Sequence, residues 1–342
     1  MSLSRPERFP LLKLPFLCIE CVIKNWDIFD IIFFVLTSNR ARQIVKHLKI
    51  PLNGIEVCLN LFRYITLGNS GKQWVFKSRS VTESFFKELL TKNRIVLQKN
   101  AIPLYTRKTG HSLESYTYGM NEETASKMVL DFLNDVFKCS VKNVWMGGKL
   151  PESGDIGVKS TVNLYIGDAH GCAQLKLLLE NLEVIDTCTF HANDTTNDFY
   201  CDPKLFKCKK LEFRMGSAGW ITRDILLQFE VPRLMFLDRS FPVEDILSFV
   251  THWFHSDSKK LEYLSINNQS TQISLDKFQT EELSPVRFSG KTRIPPIDLF
   301  ARMDFSVGLE IVRHDSLEAS IYVNNGIFLF YVWHNQSAVT QS

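Results

Sequence analysis

Three segments, KKLEFRM, PRLMFLD and KKLEYLSI, each set a leucine directly after a basic residue and an aromatic two positions beyond that leucine. The leucines are Leu211, Leu234 and Leu261, and their separations fall in the window of about 20–30 residues typical of stacked strand–helix units. The intervening WITRDILLQF and PVEDILSFVTHWF carry helical spacing, the second with Pro242 at its start and Glu244 and Asp245 against the positive end of the helix dipole. A strand followed by a covering helix and a further strand dictates parallel pairing. The spacing therefore predicts Leu211, Phe213, Leu234, Phe236, Leu261 and Tyr263 at equivalent positions on neighbouring parallel strands. Trp220, Ile225, Leu226, Ile246, Phe249 and Trp253 are expected to pack on them from the helices.

The same alternation extends upstream. SKMVLDFLNDVF and AQLKLLLENL read as helices, and VKNVWMG, VNLYIG and VIDTCTF as short strands. GLEIVRH, ASIYVNN and GIFLFYVWH near the end read as antiparallel strands, with Asn324-Asn325-Gly326 as the clearest turn. Residues 55–77 alternate with period two around the turn LGNSGK and predict a β-hairpin. VTESFFKELL reads as a helix, and the polar stretch 109–117 as a loop.

Before the hairpin, Ile19, Val22, Ile23 and Trp26 recur at helical spacing after Pro15. Asp27 is placed to cap a second helix to Thr37, and Ser38 or Asn39 a third to Leu48, which Pro51 stops. Three short helices cannot hide this much apolar surface among themselves, and something else must cover it.

Several classes fall away. Forty Lys and Arg against thirty-seven Asp and Glu give a net charge of +3 without a basic cluster, which argues against nucleic-acid binding. The densest apolar run, Ile28 to Leu36, contains Asp30 and is far shorter than the ~20 residues of a spanning helix, so no membrane partner is expected. Glu7, Lys13, Glu20 and two prolines interrupt what would be the apolar core of a secretory signal. The chain reads as intracellular, cytoplasmic or nuclear, so the sequons at Asn193, Asn268 and Asn335 are expected to stay unmodified. Most of its eight cysteines read as buried thiols.

Enzyme-like signals are weak. YIGDAHG, with Asp168 and His170, has the look of a metallophosphoesterase strand end, but the further ligand segments such a two-metal site needs are missing, and a strand-to-helix turn explains it. Cys18 and Cys21 form a CxxC without a second pair, and the intervals among Cys188, His191, Cys201 and Cys208 do not suit a structural zinc site. There is no Gly-x-Ser-x-Gly elbow or phosphate loop. The expectation is no catalytic residue, no metal and no cofactor.

The order Leu14-Pro15, then Ile19, Val22 and Ile23, then Asp27-Ile28 with Ile31, Ile32 and Val35, then Arg40 to Ile44, resembles an F-box of the large family expanded in nematodes. Ser38 and Ala41 stand where many F-boxes carry Cys and Trp. KKLEFRMGSAGWITRDILLQFEVPRLMFLD with EDILSFVTHWFHSDSKKLEYLSI is similar to the type 2 F-box associated domain of that family, and LEIVRHDSLEASIYVNN to its closing strands.

The resemblance implies an α+β chain: an F-box over 8–50, a hairpin and connecting segment over 51–121, a strand–helix domain with leucine-rich-type repeats over 122–266, and a polar linker with closing antiparallel strands over 267–336. It implies a substrate-receptor subunit of an SCF ubiquitin ligase. That subunit would bind a Skp-type adaptor through Leu14, Pro15, Ile19, Val22, Ile23, Ile28 and Ile32, reach cullin and RING subunits through it, and hold an unknown target on the C-terminal domain. The alternatives are an interaction module that delivers no substrate and, remotely, the phosphoesterase. Were these helix residues only a local core, no adaptor would be needed to cover them. A target would meet the loops after the repeat strands, Gly216 to Trp220, Asp238-Arg239-Ser240 and Asn267 to Thr271.

Overall fold

A computed structural model describes residues 11–48, 50–60, 63–69, 71–78, 91–97, 100–117, 121–147, 152–167, 172–191, 200–267, 273–287, 305–324 and 326–334. The chain is α+β and divides into two compact units, Met1–Trp145 with Ile156–Val158, and Met146–Asp155 with Lys159–Ser342. The division does not follow boundaries at 50, 121 and 266.

The first unit opens with α1 (Phe16–Lys24), α2 (Ile28–Thr37) and α3 (Asn39–His47). Their starts are set by local chemistry. Asp27 Oδ1 accepts the backbone N–H groups of Phe29 at 2.9 Å and Asp30 at 3.1 Å, and Ser38 Oγ accepts that of Ala41 at 3.1 Å. The strands β1 (Ile55–Asn60), β2 (Tyr64–Asn69), β3 (Lys72–Ser78), β4 (Thr91–Leu97), β5 (Asn100–Thr109) and β6 (Ser112–Thr117) follow, in the spatial order β1-β2-β3-β6-β5-β4. Neighbours are antiparallel except β3 and β6, which run parallel. The helix α4 (Glu122–Phe137), capped by Asn121, packs on α3, β2 and β3.

Two expectations need correcting here. The single hairpin of residues 55–77 is a three-stranded meander, because Tyr64–Asn69 forms a strand of its own between β1 and β3. The expected loop at 109–117 is mostly β6. Its inward positions are Leu113, Ser115 and Thr117, each about 1% exposed, so two polar residues sit where alternation would require apolar ones. Ser115 is inside because its hydroxyl accepts the indole N–H of buried Trp74 at 2.8 Å. The helix expected over VTESFFKELL lies outside the described residues.

Much of the apolar excess of α2 is covered by this chain itself. Ile28, Phe29, Ile31, Ile32 and Val35 are all at most 1% exposed, and α2 packs on β3. Lys72 of β3 pairs with Asp27 at 2.5 Å, and the ammonium groups of Lys72 and Lys108 lie 5.5 and 5.2 Å from the centre of the Phe29 ring. On α3, Lys46 pairs with Asp135 of α4, and the Arg42 guanidinium lies over the Phe132 ring.

Burial pushes the Asp27 carboxyl up, but the hydrogen bonds from Lys72 and from the two capping N–H groups outweigh it, and the group titrates below its ordinary value. A depressed carboxylate contributes stability above its unfolded pKa, ~3.9, and loses it as pH falls through the folded value. Asp27→Ala is therefore expected to cost about 1 kcal/mol or somewhat more at pH 7. The pH-dependent part of that cost should fade below ~pH 4, as measured by urea unfolding of both proteins across that range.

The second unit is built on five parallel strands, β8 (Ser160–Ile166), β9 (Glu183–Phe190), β10 (Lys210–Phe213), β11 (Arg233–Phe236) and β12 (Tyr263–Asn267), with β7 (Val141–Gly147) preceding them in the chain. Helices cross over between them: α5 (Cys172–Asn181) before β9, α6 (Arg223–Leu226) before β11 and α7 (Val243–His255) before β12. Antiparallel β16 (Ile327–Trp333), β15 (Glu318–Asn324), β14 (Leu309–Val312) and β13 (Val286–Arg287) continue the sheet from β12.

The sheet register places Cys188, Leu211, Leu234 and Leu264 in one row and Phe190, Phe213, Phe236 and Ile266 in another. Phe213 stacks between Phe190 and Phe236 with ring centres 5.1 Å away on each side. Trp220 packs edge-on against Phe213, and Leu226, Ile246, Phe249 and Trp253 are all buried, as expected of the helix face.

The third repeat is out of phase by three residues. Leu264 and Ile266, not Leu261 and Tyr263, align with Leu234 and Phe236. The cause is Pro232, whose carbonyl accepts the N–H groups of both Glu262 and Tyr263, so that β12 begins pairing at Tyr263 opposite Arg233. Tyr263 thus belongs to the opposite face, in a cluster with Met235, Phe305, Tyr322, Leu329 and Tyr331. The crossovers are also unequal, since WITRDILLQF yields only the single turn of α6 against the thirteen residues of α7. Thr222 caps that turn, with Trp220 and Ile221 left in the preceding loop.

Candidate functional site

On α1, Ile19 and Ile23 face inward at 3% and 0% exposure, and half a turn away Leu17, Cys18 and Cys21 face out. Leu17 is 72% exposed and Phe16 47%, the largest exposures of bulky apolar side chains on these helices, and Phe33 of α2 is 38% exposed. Isolated apolar side chains on a surface are ordinary, but a Pro-Phe-Leu run at the first turn of a helix is a local concentration. The polar edge of α1 is closed on itself by the Lys24–Glu20 pair at 2.7 Å.

Of the seven residues the resemblance assigns to an adaptor contact, Pro15 is exposed, Leu14 and Val22 are half-buried, and Ile19, Ile23, Ile28 and Ile32 are buried. The four isoleucines hold the helices together, and the outward surface rests on Leu14, Pro15, Phe16, Leu17, Val22 and Phe33. Leu17 and Phe33 were legible from helical phase, because each lies away from the buried stripe of its helix, whereas Phe16 is in phase with Ile19 and Ile23 and stands exposed at the first turn of α1. Of the two departures from the F-box pattern, Ser38 serves as the cap of α3 and Ala41 is fully buried.

In the second unit the loops after β10 and β11 are braced on each other. Met215, with φ of 52°, donates its backbone N–H to Asp238 at 3.0 Å. The Ser217 hydroxyl accepts the Arg214 N–H and donates to the Phe190 carbonyl. Met215 itself stands 57% exposed, while Trp220 is 7% exposed between Phe213 and Tyr200, a core side chain. Arg239 stacks its guanidinium over Phe241 at 5.3 Å. Asn267 ends β12, and residues 268–271 lie outside the described residues. Beside these loops, nearly buried Glu212 is held between Lys210, at 2.9 Å, and Arg214. Burial, and then the neighbouring Arg214 charge, hold the His191 imidazole below its usual pKa.

Asp168 and His170 lie outside the described residues. Among the described residues no group of three or more His, Cys, Asp or Glu could hold a metal ion, Cys18 and Cys21 are exposed free thiols, and Cys188, Cys201 and Cys208 are buried ones. No described helix is long and apolar enough to cross a membrane.

Residues 204–266, which span β10, α6, β11, α7 and most of β12, match the family model described as F-box associated. The chain is 24% identical to the uncharacterized protein F59B2.8 of Caenorhabditis elegans over 95% of its own length and 78% of that protein. It is 23% identical to the uncharacterized protein F59B2.9 of the same organism, over 95% and 79%. No solved structure matches. The stacked parallel strands β10, β11 and β12 thus lie in a segment similar to F-box associated domains, within a chain similar over most of its length to two nematode proteins.

Proposed function

We propose that this protein is a substrate-receptor subunit of an SCF-type ubiquitin ligase. The observation that carries the reading is the conjunction, in one chain, of outward apolar side chains on α1 and α2, in a segment resembling an F-box, with the F-box associated match at 204–266. In this reading Leu14, Pro15, Phe16, Leu17, Val22 and Phe33 contact a Skp-type adaptor, while the isoleucines beneath shape that surface. Transferring a few such side chains out of water at ~1.5–3 kcal/mol each suffices for stable association after the ordering costs.

The protein performs no chemistry of its own. The adaptor and, through it, cullin and RING subunits bring the ubiquitin-transfer machinery beside a target held on the second unit, which makes the transfer effectively intramolecular. The braced loops at the ends of β10 and β11, with exposed Met215, are where the target docks, since a loop fixed by Asp238 and Ser217 loses little entropy on binding. The strand–helix array plays the supporting role of leucine-rich-type repeats. Intracellular residence, in cytoplasm or nucleus, follows from such a role. Mixing the purified full chain with a Skp-type adaptor and following co-elution tests the assignment. A shared peak is expected, and two separate peaks would remove the adaptor-dependent mechanism.

A further inference from the structure

Among the described residues, Cys18 and Cys21 are the exposed cysteines, whereas Cys139 is half-buried and Cys58, Cys188, Cys201 and Cys208 are buried. Both exposed thiols stand on α1, three residues apart. At ~100° per residue Cys21 lies opposite the midpoint of the buried Ile19–Ile23 stripe, and Cys18 stands ~60° away on the same outward face. Exposed Leu17 borders the two thiols on one side and half-buried Val22 on the other. A free cysteine ordinarily packs inside as a small hydrophobe, so a pair of accessible thiols on one helix face offers reactivity rather than packing.

Residues three apart on a helix have Cα atoms ~5 Å apart, inside the span of ~4.4–6.8 Å that a disulfide bridges. Their Cβ atoms are ~5–6 Å apart against the ~3.5–4.5 Å that a disulfide takes, so the turn must tighten toward 3₁₀ geometry, in which such positions eclipse. The start of α1 is able to yield in this way. The helix has nine residues, Pro15 gives it no side-chain cap, and Cys18 lies in its first turn, where backbone N–H groups have no intrahelical partner. A bridge that is exposed and under tension is the readily reduced, reversible kind rather than a structural staple.

We propose that Cys18 and Cys21 are a reversible redox site, a dithiol that a low-molecular-weight disulfide such as glutathione disulfide converts to an intrahelical bridge. One cysteine gives its proton to solvent and its sulfur attacks the oxidant. A protein–glutathione S–S bond forms, the oxidant's S–S bond breaks, and one glutathione leaves as a thiolate that takes up a proton. The second cysteine, deprotonated in turn, attacks the sulfur of the first, so that the Cys18–Cys21 bond forms, the mixed bond breaks and the second glutathione leaves. Two protein thiols are oxidised and one disulfide is reduced to two thiols. The site draws on no adaptor contact and stands whether or not the chain joins a ubiquitin ligase.

The test treats the full chain with glutathione disulfide at neutral pH, alkylates the remaining thiols and reads masses after cleavage at lysine. Lys13 and Lys24 bound a single peptide, residues 14–24, that carries both cysteines and no other. In the wild type this peptide is expected to lose two hydrogens, with neither an alkyl group nor a glutathione on it, and to regain both thiols in excess reduced glutathione. Cys18→Ser and Cys21→Ser, which lack the resolving partner, should each hold glutathione on the remaining cysteine at least about tenfold more than the wild type does. Glutathione held by the wild type at the level of the single variants, or a wild-type peptide alkylated at both cysteines, would overturn the proposal.

Discussion

Replacing Arg313 with Ala is expected to destabilise the second unit by about 3–5 kcal/mol, the cost of breaking a buried ionic network from one side. The Arg313 side chain is fully buried, and every part of its guanidinium is used. Nε and Nη2 donate to the two Asp315 oxygens at 2.9 and 2.8 Å, and Nη1 donates to the Ser258 carbonyl at 2.9 Å. The planar group also stacks on Trp253 at 5.1 Å. These contacts tie the β14–β15 turn, where Ser316 has φ of 65°, to the end of α7 and the chain leading to β12.

Arg313→Lys should recover little, because an ammonium keeps the charge but cannot make the paired, planar contacts. Hydrogen bonds from Arg313 hold the Asp315 carboxyl far below the usual carboxylate range, against a smaller opposing effect of burial. Its contribution is therefore present above the ordinary pKa of ~3.9 and persists into acid well below it. Denaturant unfolding of the two variants beside the wild type reads this directly. A loss under ~1 kcal/mol in Arg313→Ala would show that the network is dispensable.

Phe213→Ala is the second substitution with a large expected effect, again about 3–5 kcal/mol. Its ring is the middle of a stack with Phe190 and Phe236 and also meets Trp220 and Phe229 edge-on at 6.2 and 6.1 Å. Removing it leaves a cavity bounded by other rings on three parallel strands, where backbone collapse is opposed by the strand spacing. Phe213→Leu should restore more than half of the loss, because most of the volume returns. Thermal melts of both variants distinguish a packing defect from a general intolerance of substitution, which would leave Leu and Ala equally damaged.

The aromatic row also marks how far the fold was readable from the sequence. Leu211, Phe213, Leu234 and Phe236 declared themselves because a basic residue, a leucine and an aromatic recur in fixed order, and the observed register pairs them one to one. Phe190 belongs to the same row, yet TCTF carries neither the leucine nor the preceding base, so its membership shows only through the pairing of β9 with β10. The slip at β12 was hidden because KKLEYLSI holds leucines three apart, at 261 and 264, and the choice between them depends on the Pro232 carbonyl rather than on local pattern. β6 was hidden because polar Ser115 and Thr117 face inward, Ser115 through a hydrogen bond from Trp74 that no hydropathy pattern reports.

The helical segment taught a different lesson. Matching a motif picks out Ile19, Ile23, Ile28 and Ile32, since these repeat, and repetition at helical spacing is first a signal of burial. The outward residues differ in kind. Leu17 on α1 and Phe33 on α2 are apolar positions out of phase with that repeat, while Phe16 is outward by its place at the helix start.

The central claim, that this outward patch docks a Skp-type adaptor, is tested most directly by measuring adaptor affinity for Leu17→Asp beside Leu177→Asp, which places the same charge on an exposed apolar position of α5. Melting temperatures are read beside the affinities, because Leu17 is 72% exposed whereas Leu177 is 36% exposed and lies against Gly154. The account predicts that Leu17→Asp weakens adaptor binding about a hundredfold or more, the loss of one well-buried anchor, while Leu177→Asp changes it less than about threefold. Full adaptor affinity retained by Leu17→Asp would contradict it.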